Sequence, residues 1–220
     1  MSITVAIDGP AGAGKSTIAK LVSKELGAIY VDTGAMYRAM ALFMINNSVD
    51  KDDEDKVSKM CEKADISIRF EDGVQVVVLN GENVNAYIRT EEVGLVASKV
   101  SSYGSVRKKL VSLQQKLASE TDVVMDGRDI GTVVLPNAKP KIYLTASSQV
   151  RAKRRYDELL QKGEKCDLNK IEEDIISRDY QDMHREISPL TKASDAIEID
   201  SSYMSVEEVK DKIIMLCKNI

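Results

Sequence analysis

A chain of 220 residues is long enough for one full domain with a proper core, or for one domain carrying inserts. Charged residues make up 30% and hydrophobic residues 43%, which excludes a disordered chain, and a net charge of −4 excludes bulk binding to nucleic acid. No apolar run reaches the roughly 20 residues that cross a bilayer, and the N-terminus MSITVAIDG has neither the basic start nor the long apolar core of a secretory leader.

Strand character begins at ITVAI (3–7) and returns at AIYVD (28–32), DVVMD (122–126), KIYLTA (141–146) and AIEID (196–200). These runs are rich in Val, Ile or Tyr and alternate little, as strands covered on both faces do. Helical patterns lie between them, over 15–26, 35–46, 90–119 with a break at Gly104, 148–161, 170–184 and 205–218. Strand–helix alternation predicts an α/β fold, a parallel sheet with helices on both sides. One section departs from that rhythm. In DISIRFEDGVQVVVLNGENV, starting at Asp65, the pairs Asp72-Gly73 and Asn80-Gly81 are hairpin signals. Three short runs joined by two tight turns predict an antiparallel insert near a ligand; an edge extension of the main sheet is the alternative.

Between the first strand and the first helix stands Gly9-Pro10-Ala11-Gly12-Ala13-Gly14-Lys15-Ser16, followed by Thr17. It fits G-x-x-x-x-G-K-[ST] at every fixed position, in the strand-to-helix context that a phosphate-binding P-loop requires. Glycines let backbone N–H groups crowd around phosphate oxygens, and the helix N-terminus adds partial positive charge. Lys15 supplies a full charge at the β- and γ-phosphates, and Ser16 offers a hydroxyl to Mg²⁺. The competing explanation, a glycine-rich turn with a surface lysine, is disfavoured by the context on both sides. A switch GTPase is also disfavoured: NKIE at 169–172 lacks the aspartate of N-K-x-D.

Ligands of open α/β sheets gather at the carboxyl ends of the strands. Asp32 and Thr33 fall there in VDTGAMYRAM, with Arg38 on the next helix as a fork for an acceptor phosphate. VVMDGRDIGTVV places Asp126 after an apolar run, the pattern of a carboxylate supporting a metal beside a P-loop. Arg128 and Asp129 follow in a charged loop that Gly127 and Gly131 leave open, a functional signature at a strand end. Arg151, Arg154 and Arg155 cluster at helical spacing, as a lid over a triphosphate requires and as a solvated basic helix also allows. Arg178, Asp182 and Arg185 share one helix face; from spacing alone they read best as a surface ion pair. The three cysteines, Cys61, Cys166 and Cys217, form no CxxC pair, and His184 is the single histidine, so neither a zinc site nor a disulfide framework is expected. Cysteine usage and the missing leader together point to the cytoplasm.

IDGPAGAGKST, VDTGAMYR, IRTEEV, DGRDIGTVV, RAKRRYDELLQKG and RDYQDMHREISPL, taken in this order, resemble the bacterial cytidylate kinase family of P-loop nucleoside monophosphate kinases. The resemblance runs from about Ile3 to the end and implies one P-loop kinase domain over 1–220. Its five-stranded parallel sheet carries an antiparallel monophosphate-side insert at about 63–88 and an arginine-rich helical lid at about 150–168. It implies phosphoryl transfer from ATP to CMP or dCMP with Mg²⁺, Lys15, Arg128 and Arg154 being catalytic. It places ATP on residues 9–17 with Arg151 and Arg154, and CMP on Thr33, Arg38, Ser98, Arg107, Arg128, Asp129, Arg178, Asp182 and Arg185. Arg178 and Asp182 fall at sugar positions, Ser98, Arg107, Asp129 and Arg185 at base positions, and Arg38 and Arg128 at phosphate positions. Some relatives carry glycine where Ser16 stands, which weakens its part in holding Mg²⁺ with Asp126. The alternatives are a P-loop kinase for UMP, dTMP or a metabolite, and a non-catalytic ATP-binding module. No heptad seam is present, so a monomer is expected.

Overall fold

The computed structural model describes residues 3–71 and 73–218. A five-stranded parallel sheet runs in the order β2 (Ile29–Asp32), β6 (Val123–Gly127), β1 (Thr4–Asp8), β7 (Lys141–Thr145), β8 (Ile197–Asp200). The expected α/β architecture is thus present, each strand within two residues of its sequence-based position. The chain divides into two compact units, one formed by Met1–Ala28 with Asp122–Ile220 and the other by Ile29–Thr121.

In the first unit, Val5, Ala6 and Ile7 of β1 pair with Val124, Met125 and Asp126 of β6. With Ile142 and Leu144 of β7, their apolar side chains are at most 1% exposed. Runs without alternation are what a sheet interior selects. Strand β8 departs from the expectation of cover on both faces. Of its four residues only Ile199 is buried, because β8 is the edge strand. Helix α1 (Lys15–Leu26) packs on β1, β6 and α8 (Val206–Lys218). It stops at Gly27, whose φ of 67° lets the Ala28 N–H reach the Ser23 carbonyl at 2.9 Å. Helices α6 (Ser148–Gln161) and α7 (Leu168–His184) pack on one another.

The second unit is built on α2 (Thr33–Asn46). Met36, Met40 and Met44 line one buried face, against Val93, Ala97 and Val100 of α4 (Glu91–Val100) and Leu110 of α5 (Gly104–Glu120). Strands β3 (Ile66–Glu71), β4 (Val74–Leu79) and β5 (Glu82–Asn83) form the expected antiparallel meander. Asn80 and Gly81 both hold positive φ, 50° and 88°, as the two-residue turn signal demands. In the other turn Gly73 has φ 76°, while Asp72 lies outside the described residues. Helix α3 (Glu54–Cys61) was not expected: its stretch is a dense run of charges, and only Val57 and Cys61 are buried. Asp53 starts it by accepting the Lys56 N–H at 3.0 Å.

Candidate active site

The P-loop spans the end of β1 to the start of α1. Gly9, Gly12 and Gly14 hold φ of 148°, 76° and 91°. The need at Gly9 is also steric, since a Cβ there would lie 1.9 Å from the Leu144 carbonyl oxygen. Gly14 takes the cap position of α1 without a side-chain acceptor, and no acidic residue occupies the first turn. The N–H groups at that end therefore stay available to an anion. Lys15 Nζ turns back and donates to the Pro10 carbonyl at 2.8 Å. Burial and then the Arg128 charge push the Lys15 ammonium down from 10.5 to about 7, against the pull of Asp126, Asp8 and Asp182.

Ser16 and Asp126 are brought together across 110 positions, the hydroxyl donating to the carboxylate Oδ2 at 3.0 Å. Two hard oxygen donors beside a phosphate loop suit Mg²⁺, which uses one or two protein ligands and takes the rest from phosphate and water. No group of three metal-ligating side chains exists among the described residues.

The segment after β6 differs from the open loop that its glycines predict. Ile130–Val134 form a π-helical turn, with Ile130, Gly131 and Val134 buried and Asp129 itself only 4% exposed. Asp8 holds the start of this turn. Its carboxylate accepts the Ile130 and Gly131 N–H groups, each at 2.7 Å. Burial raises the Asp8 carboxyl from 3.8 to about 6, although both N–H groups and Lys15 favour its charged form.

Arg128 Nε donates to Asp182 Oδ2 at 2.7 Å, and Arg185 approaches the other carboxylate oxygen at 4.0 Å. Burial alone would raise the Asp182 pKa; the Arg128 charge and hydrogen bond, with Arg185 and Arg178, outweigh it and hold the carboxyl below its ordinary value. Arg178 shifts the other way, lowered by burial and by repulsion from Arg128, and its buried Nε has no hydrogen-bond partner among the described residues. Partial burial of Asp182 and its bond to Arg128, which lies outside this helix, take this face beyond the surface ion pair that spacing alone favours. Three arginines around one carboxylate leave a net positive, partly dehydrated surface suited to an anionic ligand.

On α6, Arg151 is buried and each of its three guanidinium nitrogens donates once: to the Ala146 carbonyl at 2.8 Å, the Ala11 carbonyl of the P-loop at 3.0 Å and Asp179 at 2.6 Å. Arg154 donates to the Ser201 carbonyl at 2.8 Å. Sequence reasoning missed Asp8, Asp179 and Ser201 as supports. A charged residue closing an apolar strand, as Asp8 does, was the one available signal.

The second unit carries the remaining predicted residues. Asp32 caps α2 by accepting the Ala35 N–H at 2.9 Å, which makes the buried Thr33 the first helical residue. The Gln75 amide brackets the Asp32 backbone, accepting its N–H at 2.7 Å and donating to its carbonyl at 3.2 Å. Arg38 donates to the Ile88 carbonyl at 3.3 Å. Arg107, 4% exposed, donates to the Ser101 carbonyl at 3.2 Å and lies over the Tyr37 ring at 5.6 Å. Ser98 is half-buried on α4.

No helix among the described residues is long and apolar enough to cross a membrane. The fold is similar to that of a gluconokinase from Sinorhizobium meliloti 1021, with a TM-score of 0.51 at 11% identity over 99% of this chain and 93% of that one. The sequence is 53% identical to a cytidylate kinase of Lactobacillus gasseri over 95% of this chain and 91% of the relative. It is 51% identical to a cytidylate kinase of Caldicellulosiruptor bescii over 97% and 95%, and 47% identical to a cytidylate kinase of Bacillus subtilis over 96% and 95%. The family model described as cytidylate kinase matches residues 5–219. A P-loop with its lysine, a half-buried arginine–aspartate cluster beside it and this match over nearly the whole length lead to one conclusion: the chain belongs to the cytidylate kinase family.

Proposed function

We propose that the chain transfers the γ-phosphoryl group of ATP to CMP or dCMP, releasing ADP and CDP or dCDP. The observation that carries this reading is the pairing of a lysine-bearing P-loop with the Arg128–Asp182 hydrogen bond of 2.7 Å, in a chain that matches the cytidylate kinase family over residues 5–219. A cation on the nucleotide loop and a cation offered to an acceptor phosphate are what phosphoryl transfer between two nucleotides requires. The P-loop amides of residues 9–17 hold the triphosphate, and Lys15 neutralises charge on the transferring group. Arg151 and Arg154, on a lid at about 150–168, complete the donor site, Arg154 by exchanging Ser201 for phosphate oxygen. Mg²⁺, held at Ser16 and Asp126, supplies charge neutralisation on the phosphates.

Arg38 and Arg128 bind the acceptor phosphate, Arg178 and Asp182 the sugar, and Ser98, Arg107, Asp129 and Arg185 the base. The insert at about 63–88 serves the acceptor side of this one kinase domain. An ionised acceptor phosphate is already a nucleophile, so catalysis is positioning and charge neutralisation without a general base. The lid excludes water, which would otherwise accept the phosphoryl group. A monomer in the cytoplasm fits this role. The test is a coupled assay for ADP. Formation on addition of CMP or dCMP, and far less with UMP, dTMP or shikimate, is expected; ADP formation indifferent to the acceptor would overturn the reading.

A further inference from the structure

Asp8 closes β1 and directly precedes Gly9 of the P-loop. Both its oxygens are used at 2.7 Å on two consecutive backbone N–H groups, those of Ile130 and Gly131. At 4% exposure this carboxylate has little water to solvate it. A π-helical turn closes i to i+5, so its first N–H groups find no acceptor within the turn. Left buried and unmade, each would destabilise the fold by the desolvation of an unpaired donor. Strand pairing does not supply the acceptor: β1 and β6 pair only as far as Asp8 with Gly127, and the two N–H groups lie beyond that ladder. The residues just before them are Arg128 and Asp129. The Arg128 side chain is anchored from one side by Asp182. Two residues further on, Asp8 holds the backbone through the Ile130 and Gly131 N–H groups.

We propose that Asp8 is a positioning residue: its carboxylate ties the Arg128–Asp129 segment to the first residue of the P-loop, fixing the acceptor-side groups against the donor phosphates. This rests on the reading of Arg128 and Asp129 as acceptor-binding residues. Asp8 itself touches no substrate. Phosphoryl transfer depends on the alignment of two bound nucleotides, and a shift of about 1 Å can cost on the order of a hundredfold in rate.

Asp8→Asn keeps the size and one acceptor oxygen but turns an NH₂ group toward a backbone N–H. The expected result, in a variant folded by circular dichroism, is a KM for CMP raised tenfold or more and a lower kcat, with the Kd for a non-hydrolysable ATP analogue within threefold of wild type. A merely structural role would weaken both ligands together. If Asp8→Asn does not fold, the wild-type protein decides by NMR: adding CMP must shift the Asp8 carboxyl carbon together with the Ile130 and Gly131 amides. Unchanged CMP kinetics in the variant, parallel loss of ATP binding, or silent Asp8 and amide resonances in the wild type overturn the role of Asp8 alone. A wild-type enzyme that makes no ADP in response to CMP overturns the functional reading beneath it.

Discussion

Arg128 and Asp182, 54 positions apart in the chain, meet in a charge-assisted hydrogen bond of 2.7 Å with both side chains largely buried. Removing the carboxylate takes away a proposed sugar contact and leaves a partly buried guanidinium without its Asp182 counter-ion. Asp182→Ala should lower kcat/KM for CMP by about a hundredfold or more, from roughly 3 kcal/mol of lost charged contact. Asp182→Asn, which keeps the shape and one acceptor, should be milder, and neither should make UMP or AMP a good substrate. Unchanged CMP turnover in Asp182→Ala would return this helix face to an ordinary ion pair. The pair also links stability to acid. The folded-state pKa of Asp182 is depressed below 3.8, so its contribution is complete above that value and is lost as pH falls through the lower folded value.

Lys15 offers a measurement on the donor side. Its folded-state pKa near 7 lies far below the ordinary 10.5. Its contribution to stability is therefore present above about pH 10.5 and fades as pH falls toward 7, where the folded state must charge a buried amine. Triphosphate restores the ammonium. Nucleotide binding at pH 8 should therefore take up close to one proton, and affinity should weaken as pH rises above 7. Calorimetry in two buffers of different ionisation enthalpy reads that uptake directly. Lys15→Met should abolish it and reduce kcat by roughly 10²–10³-fold or more. Zero uptake by the wild type would show that the lysine is already charged before nucleotide arrives.

Gly9 and Gly14 should respond differently to alanine. A Cβ at Gly9 meets the Leu144 carbonyl oxygen at 1.9 Å, whereas at Gly14 nothing lies within 4 Å. Gly14→Ala bears only the strain of a positive φ, about 1–2 kcal/mol. Gly9→Ala must also displace β7 or the loop, and its loss should exceed 3 kcal/mol or prevent folding. Urea denaturation of the two variants checks the order; equal losses would mean that the loop moves off β7 at little cost.

Arg38 separates acceptor from donor. Arg38→Ala should raise the KM for CMP by at least tenfold, the loss expected of a desolvated charged contact. The Kd for ATP should stay within about twofold, and Arg38→Lys should recover only part of the loss, since a lysine cannot make the bidentate contact. Gly94→Ala tests the same group without removing it, because its Cβ would sit 3.1 Å from Arg38 Nη1. A defect in ATP binding with normal CMP kinetics would reverse the assignment.

The sequence by itself determined whatever depends on neighbours in the chain. The P-loop could be read whole, because its function rests on consecutive backbone N–H groups and on glycines with positive φ between a strand and a helix. Asn80-Gly81 announced its turn for the same local reason, and the helix ending at Gly27 stopped where a left-handed residue stands. Only the tertiary structure decided which charges are buried and what they hold. Spacing made Arg178, Asp182 and Arg185 a surface ion pair; packing around Asp182 turned them into a half-buried cluster on Arg128. Glycines at 127 and 131 suggested an open loop, yet Asp8 reaches across 122 positions to hold that segment in a π-helical turn. Arg151 looked like a free lid cation until Asp179, 28 positions on, and the Ala11 carbonyl, 140 back, took its N–H groups. A buried charge needs a partner, but the energy that enforces the pairing is indifferent to separation along the chain.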